Sequence, residues 1–350
     1  MKKRILLVAV LQLFMVFNSC SSDSGSEDPV TTDDLQKGEI KADFIARYSP
    51  DDFVINNDDT AFFVGQSSND KDYIIKFQKI DKNGNLTLLK GITNINLLSS
   101  RLAVTPTGDF LIIAYNDESE GDKIFRFENN YTDINLFYIM KPISSPFASK
   151  IKLTAITENN DNTYFVFDQG NRHIKRFVPE LNTDVFVAGS GKNAIVDGAG
   201  LDAGFGSVSK IISHNNALYL IDNLYSENTL ASSNLRKLEY VNNQWKVSTL
   251  LSTTVTNDAF RDIIFDSKND LLVLKGKGIY KLNLLDNTLS LFKDGEIKVA
   301  AFGKNSSTNI TVDFSSLKSF KIKNNDLYLV TTTDFIKISD FQTKFAAVEK

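Results

Sequence analysis

The chain carries few residues of the kind that perform covalent chemistry, and their spacing narrows what it can do. Of its 350 residues only two are histidine, His173 and His214, and one is cysteine, Cys20. Two separated histidines cannot supply a histidine-rich metal centre. No Gly-x-Ser-x-Gly elbow is present to carry a serine nucleophile,. Aspartate is abundant, which leaves a carboxylate-built calcium site open, although no dense Asp-x-Asp-x-Asp spacing occurs,. The most conspicuous stretch is "FVAGSGKNAIVDGAGLDAGFGSV", Phe186 to Val208, which holds Gly189, Gly191, Gly198, Gly200, Gly204 and Gly206. Glycine-rich loops cradle phosphates when they end in Gly-Lys-Ser/Thr and open a helix. This one lacks that ending and leads into a strand, so it is read as architecture. Two polar clusters flank it: Asp168, Asn171, Arg172 and His173 before it, and Asp222, Asn223, Tyr225 and Glu227 after it. Mixed charge, amide and aromatic groups suit a polar ligand such as a carbohydrate or a peptide, provided the fold brings both clusters to one rim.

The elements that would do so form a repeat. Short apolar strands recur about 50 residues apart, as "TAFFVG" at 60–65, "GDFLIIAY" at 108–115, "NTYFVFD" at 162–168, "NALYLID" at 216–222, "NDLLVLK" at 269–275 and "NDLYLVT" at 325–331. Each is preceded by another strand and an Asn, Asp or Gly turn. Each is followed by an alternating strand carrying Lys or Arg, such as "DKIFRFE" at 122–128 and "DFIKISD" at 334–340. Alternation with period two is the mark of a strand with one apolar face. Four short strands per unit, six times over, predict an all-β fold: a six-bladed β-propeller of four-stranded antiparallel blades spanning residues 43–350. The apolar second strands should form the core between blades. In such a ring the loops joining outer to inner strands share a face with those joining second to third strands. Residues 189–206, 168–172 and 222–234 therefore crowd one rim. Asp168 and Asp222 end second strands, where a carboxylate can also cap the amides of the following loop. Asp197 can accept backbone N–H bonds in its turn, and Phe205 is expected to plug between two blades.

The glycine-rich loop and its neighbours resemble the NHL-repeat propellers. The matching residues are Ala188-Gly189, then Asp197-Gly198, Gly200, Ala203 and Phe205, with "NTYFVFDQGNRHIKRF" at 162–177 and "NALYLIDNLYSENTLASSNLRKL" at 216–238. The resemblance is specific over residues 162–238, and elsewhere only the strand rhythm is shared. It implies the propeller fold and a binding role. It also implies an alternative, since related propellers include lyases and lactonases, some with a calcium ion in the channel.

The N-terminus reads as an address. Lys2, Lys3 and Arg4 precede an apolar run from Ile5 to Phe17, too short to span a bilayer,. Cys20 follows directly after Ser19. The arrangement resembles a bacterial lipoprotein signal over residues 1–19, which implies acylation of Cys20 and a membrane anchor. Residues 20–42 are expected to be an acidic, flexible tether, since "SSDSGSEDPVTTDD" at 21–34 has five acidic and no basic residues,. Acidic residues after the cysteine resemble the surface-export signals of Bacteroidetes lipoproteins, so an outer-membrane, surface-exposed position is expected. Without the leader the chain has 36 basic against 43 acidic side chains, a formal charge of −7. That balance, with no basic patch, excludes nucleic acid as a partner. A lone cysteine excludes an intramolecular disulfide,. Asp59-Thr60-Ala61 also resembles a Bacteroidetes O-glycosylation site. The reading as a whole is a non-enzymatic envelope module that binds a glycan, peptide or partner protein, with no cofactor required.

Overall fold

A computed structural model of the chain describes residues 39–46, 53–56, 59–66, 75–81, 85–92, 102–104, 110–114, 121–128, 133–142, 148–159, 161–303 and 306–348. The leader, Cys20 and the tether up to residue 38 lie outside them. The described chain is almost wholly strand, arranged in chain order as follows. A first strand, β1 (Glu39–Ala46), precedes blade one, which is β2 (Phe53–Ile55), β3 (Ala61–Gln66), β4 (Ile75–Ile80) and β5 (Leu86–Ile92). Blade two is β6 (Leu102–Val104), β7 (Phe110–Ala114), β8 (Lys123–Glu128) and β9 (Asp133–Tyr138). Blade three is β10 (Leu153–Glu158), β11 (Tyr164–Asp168), β12 (His173–Val178) and β13 (Thr183–Ala188). The short β14 (Gly198–Ala199) edges blade four, which is β15 (Ser207–His214), β16 (Ala217–Ser226), β17 (Thr229–Val241) and β18 (Gln244–Thr253). Blade five is β19 (Phe260–Phe265), β20 (Leu271–Lys275), β21 (Gly278–Asn283) and β22 (Thr288–Asp294). A hairpin, β23 (Glu296–Gly303) and β24 (Ser306–Asp313), then precedes β25 (Ser319–Lys323), β26 (Asp326–Val330) and β27 (Phe335–Ile338) of blade six, and the chain ends in α1 (Phe341–Val348).

The six blades of the sequence reading are all present. Their first strands touch in cyclic order, β2 to β6, β10, β15, β19, β25 and back to β2, which closes the ring. The core lies between blades, as the apolar second strands predicted. On β16, Leu218 and Leu220 pack toward blade three, while Tyr219 and Ile221 pack toward blade five. A strand with both faces buried in this way reads as a continuous apolar run.

Closure differs from the expectation. Blade six takes its fourth strand from the opposite end of the chain: β1 pairs antiparallel with β27, with Asp43 opposite Lys337, and β23 adds to β1 in parallel. The strand begins at Glu39, so the boundary expected after residue 42 falls inside it, and Ile40 and Ala42 are core residues. The helix α1 covers the same blade. Its Phe341 and Phe345 pack on Phe292 and Phe314 at centroid distances of 5.8 to 6.3 Å.

The seam between blades one and six is also held by charge. Asp59, in the left-handed region at φ 63°, accepts from Lys323 Nζ at 2.9 Å, Tyr328 Oη at 3.0 Å and Lys337 Nζ at 3.0 Å. The neighbouring Thr60 is buried, so the sequence resemblance to a glycosylation site falls on an enclosed turn. Burial raises the Asp59 carboxyl, but the hydrogen bonds from Lys323, Lys337 and Tyr328 outweigh it and hold the pKa at about 2, against an ordinary 3.8. A depressed carboxylate pKa gives stability that is present above pH 3.8 and is lost as pH falls through about 2,. With its side chain one-third exposed, solvent screening leaves a contribution of about 1 kcal/mol. Asp59→Asn is therefore expected to lower the urea midpoint at pH 7 and to flatten the fall between pH 4 and pH 2. An unchanged acid limb in the variant would refute this account of the seam.

Candidate functional site

The two polar clusters do meet, as the loop geometry predicted, and they meet around one peptide group. Gly206 donates its N–H to Asp222 Oδ1 at 3.0 Å, while its carbonyl accepts from Arg172 Nη1 and from Gln169 Nε2 at 3.4 Å. A Cβ on Gly206 would lie 2.4 Å from the Asn223 carbonyl oxygen, which explains glycine here,. Asp168 and Asp222 are fully enclosed. Asp168 caps its loop by accepting from Lys152 N at 3.1 Å, Asn171 N at 3.3 Å and Asn171 Nδ2 at 2.8 Å, and Asn171 ties that loop to Ser149. These three side chains are turned inward and hold the rim together; Asp168 caps its loop as expected, Asp222 instead accepts from Gly206 and Arg236, and the ligand-contact expectation does not describe them. Burial is the reason: each carboxylate finds its donors within the fold.

The rest of the predicted rim is more open. His173 is half-buried, its ring edge-on to Phe186 at 5.1 Å, and burial lowers its pKa so that the ring is neutral near pH 7. Asn223 keeps a buried Oδ1 without a hydrogen-bond partner. Residues 222–234, expected as a loop, continue β16 and β17 as a long hairpin, with Asn223 opposite Ser233 and Tyr225 opposite Leu230. Tyr225 is exposed and Glu227 occupies the hairpin tip at φ 48°. Among the described residues no three His, Cys, Asp or Glu side chains group to hold a metal ion, and no helix is long and apolar enough to cross a membrane.

The glycine-rich loop is a staple between blades three and four. Phe205 is fully buried, edge-to-face with Phe167 at 5.7 Å, within a cluster drawn from both blades. Asp197 accepts from Thr249 N at 2.9 Å and Thr249 Oγ1 at 2.8 Å. The buried Phe205 follows the sequence reading, whereas Asp197 accepts not within its own turn, as expected, but from β18. The residue that reading missed is Arg236. This guanidinium is fully buried, stacks over the Phe205 ring at 4.9 Å, and donates to Asp222 Oδ2 at 2.8 Å, Asp197 Oδ1 at 3.1 Å and the carbonyls of Gly204 and Val196 at 2.6 and 2.7 Å. Burial raises the Asp222 carboxyl, with Arg236 acting against it.

At the opposite end of the same interface lies a cleft the sequence reading did not find. It encloses about 480 Å³ and is lined by Asn159, Asp161, Phe165, Arg176, Asn216, Tyr240 and Trp245. That volume is within the range of small-molecule sites, roughly 300–1,000 Å³. The turns before β11 and β16 supply the amides and Asp161, while the blade faces supply the rings and Arg176. Trp245 stands edge-on to Phe165 at 5.4 Å and beside Tyr240 at 5.3 Å. Tyr240 is 56% exposed. Asn159 Oδ1 accepts from Ser213 Oγ at 2.9 Å, tying the two blades at the cleft wall. The Asp161 carboxylate is raised by burial but held below its ordinary pKa by Thr163 and Asn159. Arg176 Nε is buried and has no partner. The available signal was "YVNNQW", a tyrosine and the chain's only tryptophan flanking a tight hairpin.

No known protein family matches the sequence, and no curated protein matches it. Solved structures do. A structural genomics protein from Bacteroides thetaiotaomicron aligns at TM-score 0.55 and 13% identity, over 86% of this chain and 72% of that one. PorZ of Porphyromonas gingivalis, a surface component of the type-IX secretion system, aligns at TM-score 0.51 and 11% identity, over 89% of this chain and 48% of that one. A puromycin hydrolase aligns at TM-score 0.50 and 7% identity, over 86% and 52%. At such identities likeness extends to fold alone, and in fold the chain is a six-bladed β-propeller.

Proposed function

We propose that the chain is a non-enzymatic binding module held at the cell envelope by acyl groups on Cys20, and that it engages a glycan, peptide or partner protein through the cleft between blades three and four. The observation that carries this reading is the cleft itself: two adjacent aromatic rings, one of them largely exposed, beside an unpartnered guanidinium and three polar turn residues. Aromatic side chains with one apolar face and a wet edge are characteristic of recognition surfaces. The envelope location is supported by the leader and its single cysteine, and by the surface position stated for PorZ, of which this chain spans about half. Mass spectrometry of the mature N-terminus tests the acylation directly; an unmodified terminus refutes it.

The cleft is tested by substitution. Trp245→Ala combined with Tyr240→Ala is expected to abolish retention on glycan or peptide arrays that capture the parent protein, while leaving the unfolding midpoint within a few degrees. Undiminished capture by the double variant would move the site elsewhere, for instance to the rim carrying Arg172, His173 and Tyr225.

A further inference from the structure

The repeated blades provide an internal control for Arg176. In all six blades a cation occupies the same register of the third strand: Lys79 opposite Phe62, Arg126 opposite Leu111, Arg176 opposite Phe165, Lys237 opposite Tyr219, Lys281 opposite Leu272 and Lys337 opposite Tyr328. Four of the six are neutralised within their own blade. Arg126 pairs with Glu128 and Lys237 with Glu239, each two residues further along the strand. Lys281 pairs with Asp270 and Lys337 with Asp326, each just before the second strand's core residues. Blade three has Val178 where the glutamates stand and Thr163 where the aspartates stand. Arg176 has no such carboxylate, and it is the member of the series that lines the aromatic cleft. Asp161, in the same cleft, is engaged by Thr163 and Asn159 instead.

We infer that this cleft takes an acidic sugar, with the carboxylate of a uronic-acid residue on the Arg176 guanidinium and the pyranose ring against Trp245 and Tyr240. The inference rests on the cleft being the binding site. A guanidinium fork matches a carboxylate in two parallel hydrogen bonds, stronger than neutral ones. The apolar face of a pyranose buries against an aromatic ring, and its hydroxyls match the amide and carboxylate groups of Asn159, Asn216 and Asp161. The lining consists of side chains from turns and blade faces. An extended peptide relies on a free strand edge for its main-chain bonds, so a rigid ring is the better fit.

Trp245 is the chain's only tryptophan, so its emission reports occupancy. The mature protein is titrated with trimers of galacturonic, glucuronic and mannuronic acid, with their methyl esters, and with an acidic tripeptide. At least one acid trimer is expected to shift the emission and to bind about tenfold or more tightly than its ester, the size of one lost charge-assisted hydrogen bond. Arg176→Met should bring the acid to the level of the ester, and Arg176→Lys should recover only part. Equal binding of acid and ester overturns the acidic-sugar inference and leaves the binding module standing. A response to the peptide alone overturns the sugar class. Silence toward every probe, with an unaltered unfolding midpoint, overturns the inference and counts against the cleft itself.

Discussion

Arg236→Met is expected to lower stability by about 3–5 kcal/mol, read as a reduced urea midpoint, because it strands a buried carboxylate. Arg236 and Asp222 are both wholly enclosed and 2.8 Å apart. Removing the guanidinium also leaves the carbonyls of Gly204 and Val196 without their donor. Replacing a buried ion pair as a unit is far milder than breaking it, so Arg236→Met with Asp222→Asn should recover a substantial part of the loss. A single variant that loses less than about 1 kcal/mol, or a double variant that is worse than additive, would show that this pair does not hold the blade three to blade four interface.

Phe205→Ala comes second, at about 3–5 kcal/mol, the usual range for a fully buried phenylalanine. Its ring has no exposed surface, contacts Phe167 from blade three, and lies under Arg236 from blade four. Phe205→Leu should cost less, because part of the volume is kept. The Ala change and Arg236→Met should be strongly non-additive, since each removes a face of the same contact. A loss near zero for Phe205→Ala would mean that the loop is not a staple.

How much of this was legible in the sequence depended on whether the information was local. The second and third strands of each blade announced themselves, because alternation and apolar runs are properties of five to seven adjacent residues. The glycine-rich loop was legible for the same reason, and so was the capping role of Asp168, whereas the bonds of Asp222 to Gly206 and Arg236 were not. The strand Glu39–Ala46 was not, because its partners β27 and β23 lie at the far end of the chain and the acidic run before it suggested a tether. Arg236 was missed because alternation assigns Lys and Arg of the third strands to a solvated face. In a ring of blades both faces of a third strand meet another blade, so a cation on either can be paired, as Arg236 and Lys237 are on opposite faces of β17, or open to a cleft, as Arg176 is,. The cleft needed two blades to exist, and no stretch of either one contains it.

The way blade six is assembled constrains the order of events during synthesis. Its fourth strand is made first and its inner strands last. Until the C-terminal residues emerge, β1 has neither of its partners, and an unpaired strand edge is a template for aggregation. Loop-closure entropy makes such an end-to-end pairing a late and slow step. A chaperone that shelters the newly made N-terminal segment, or a truncation that removes the last forty or so residues, should therefore act on solubility long before it acts on the folding of any inner blade.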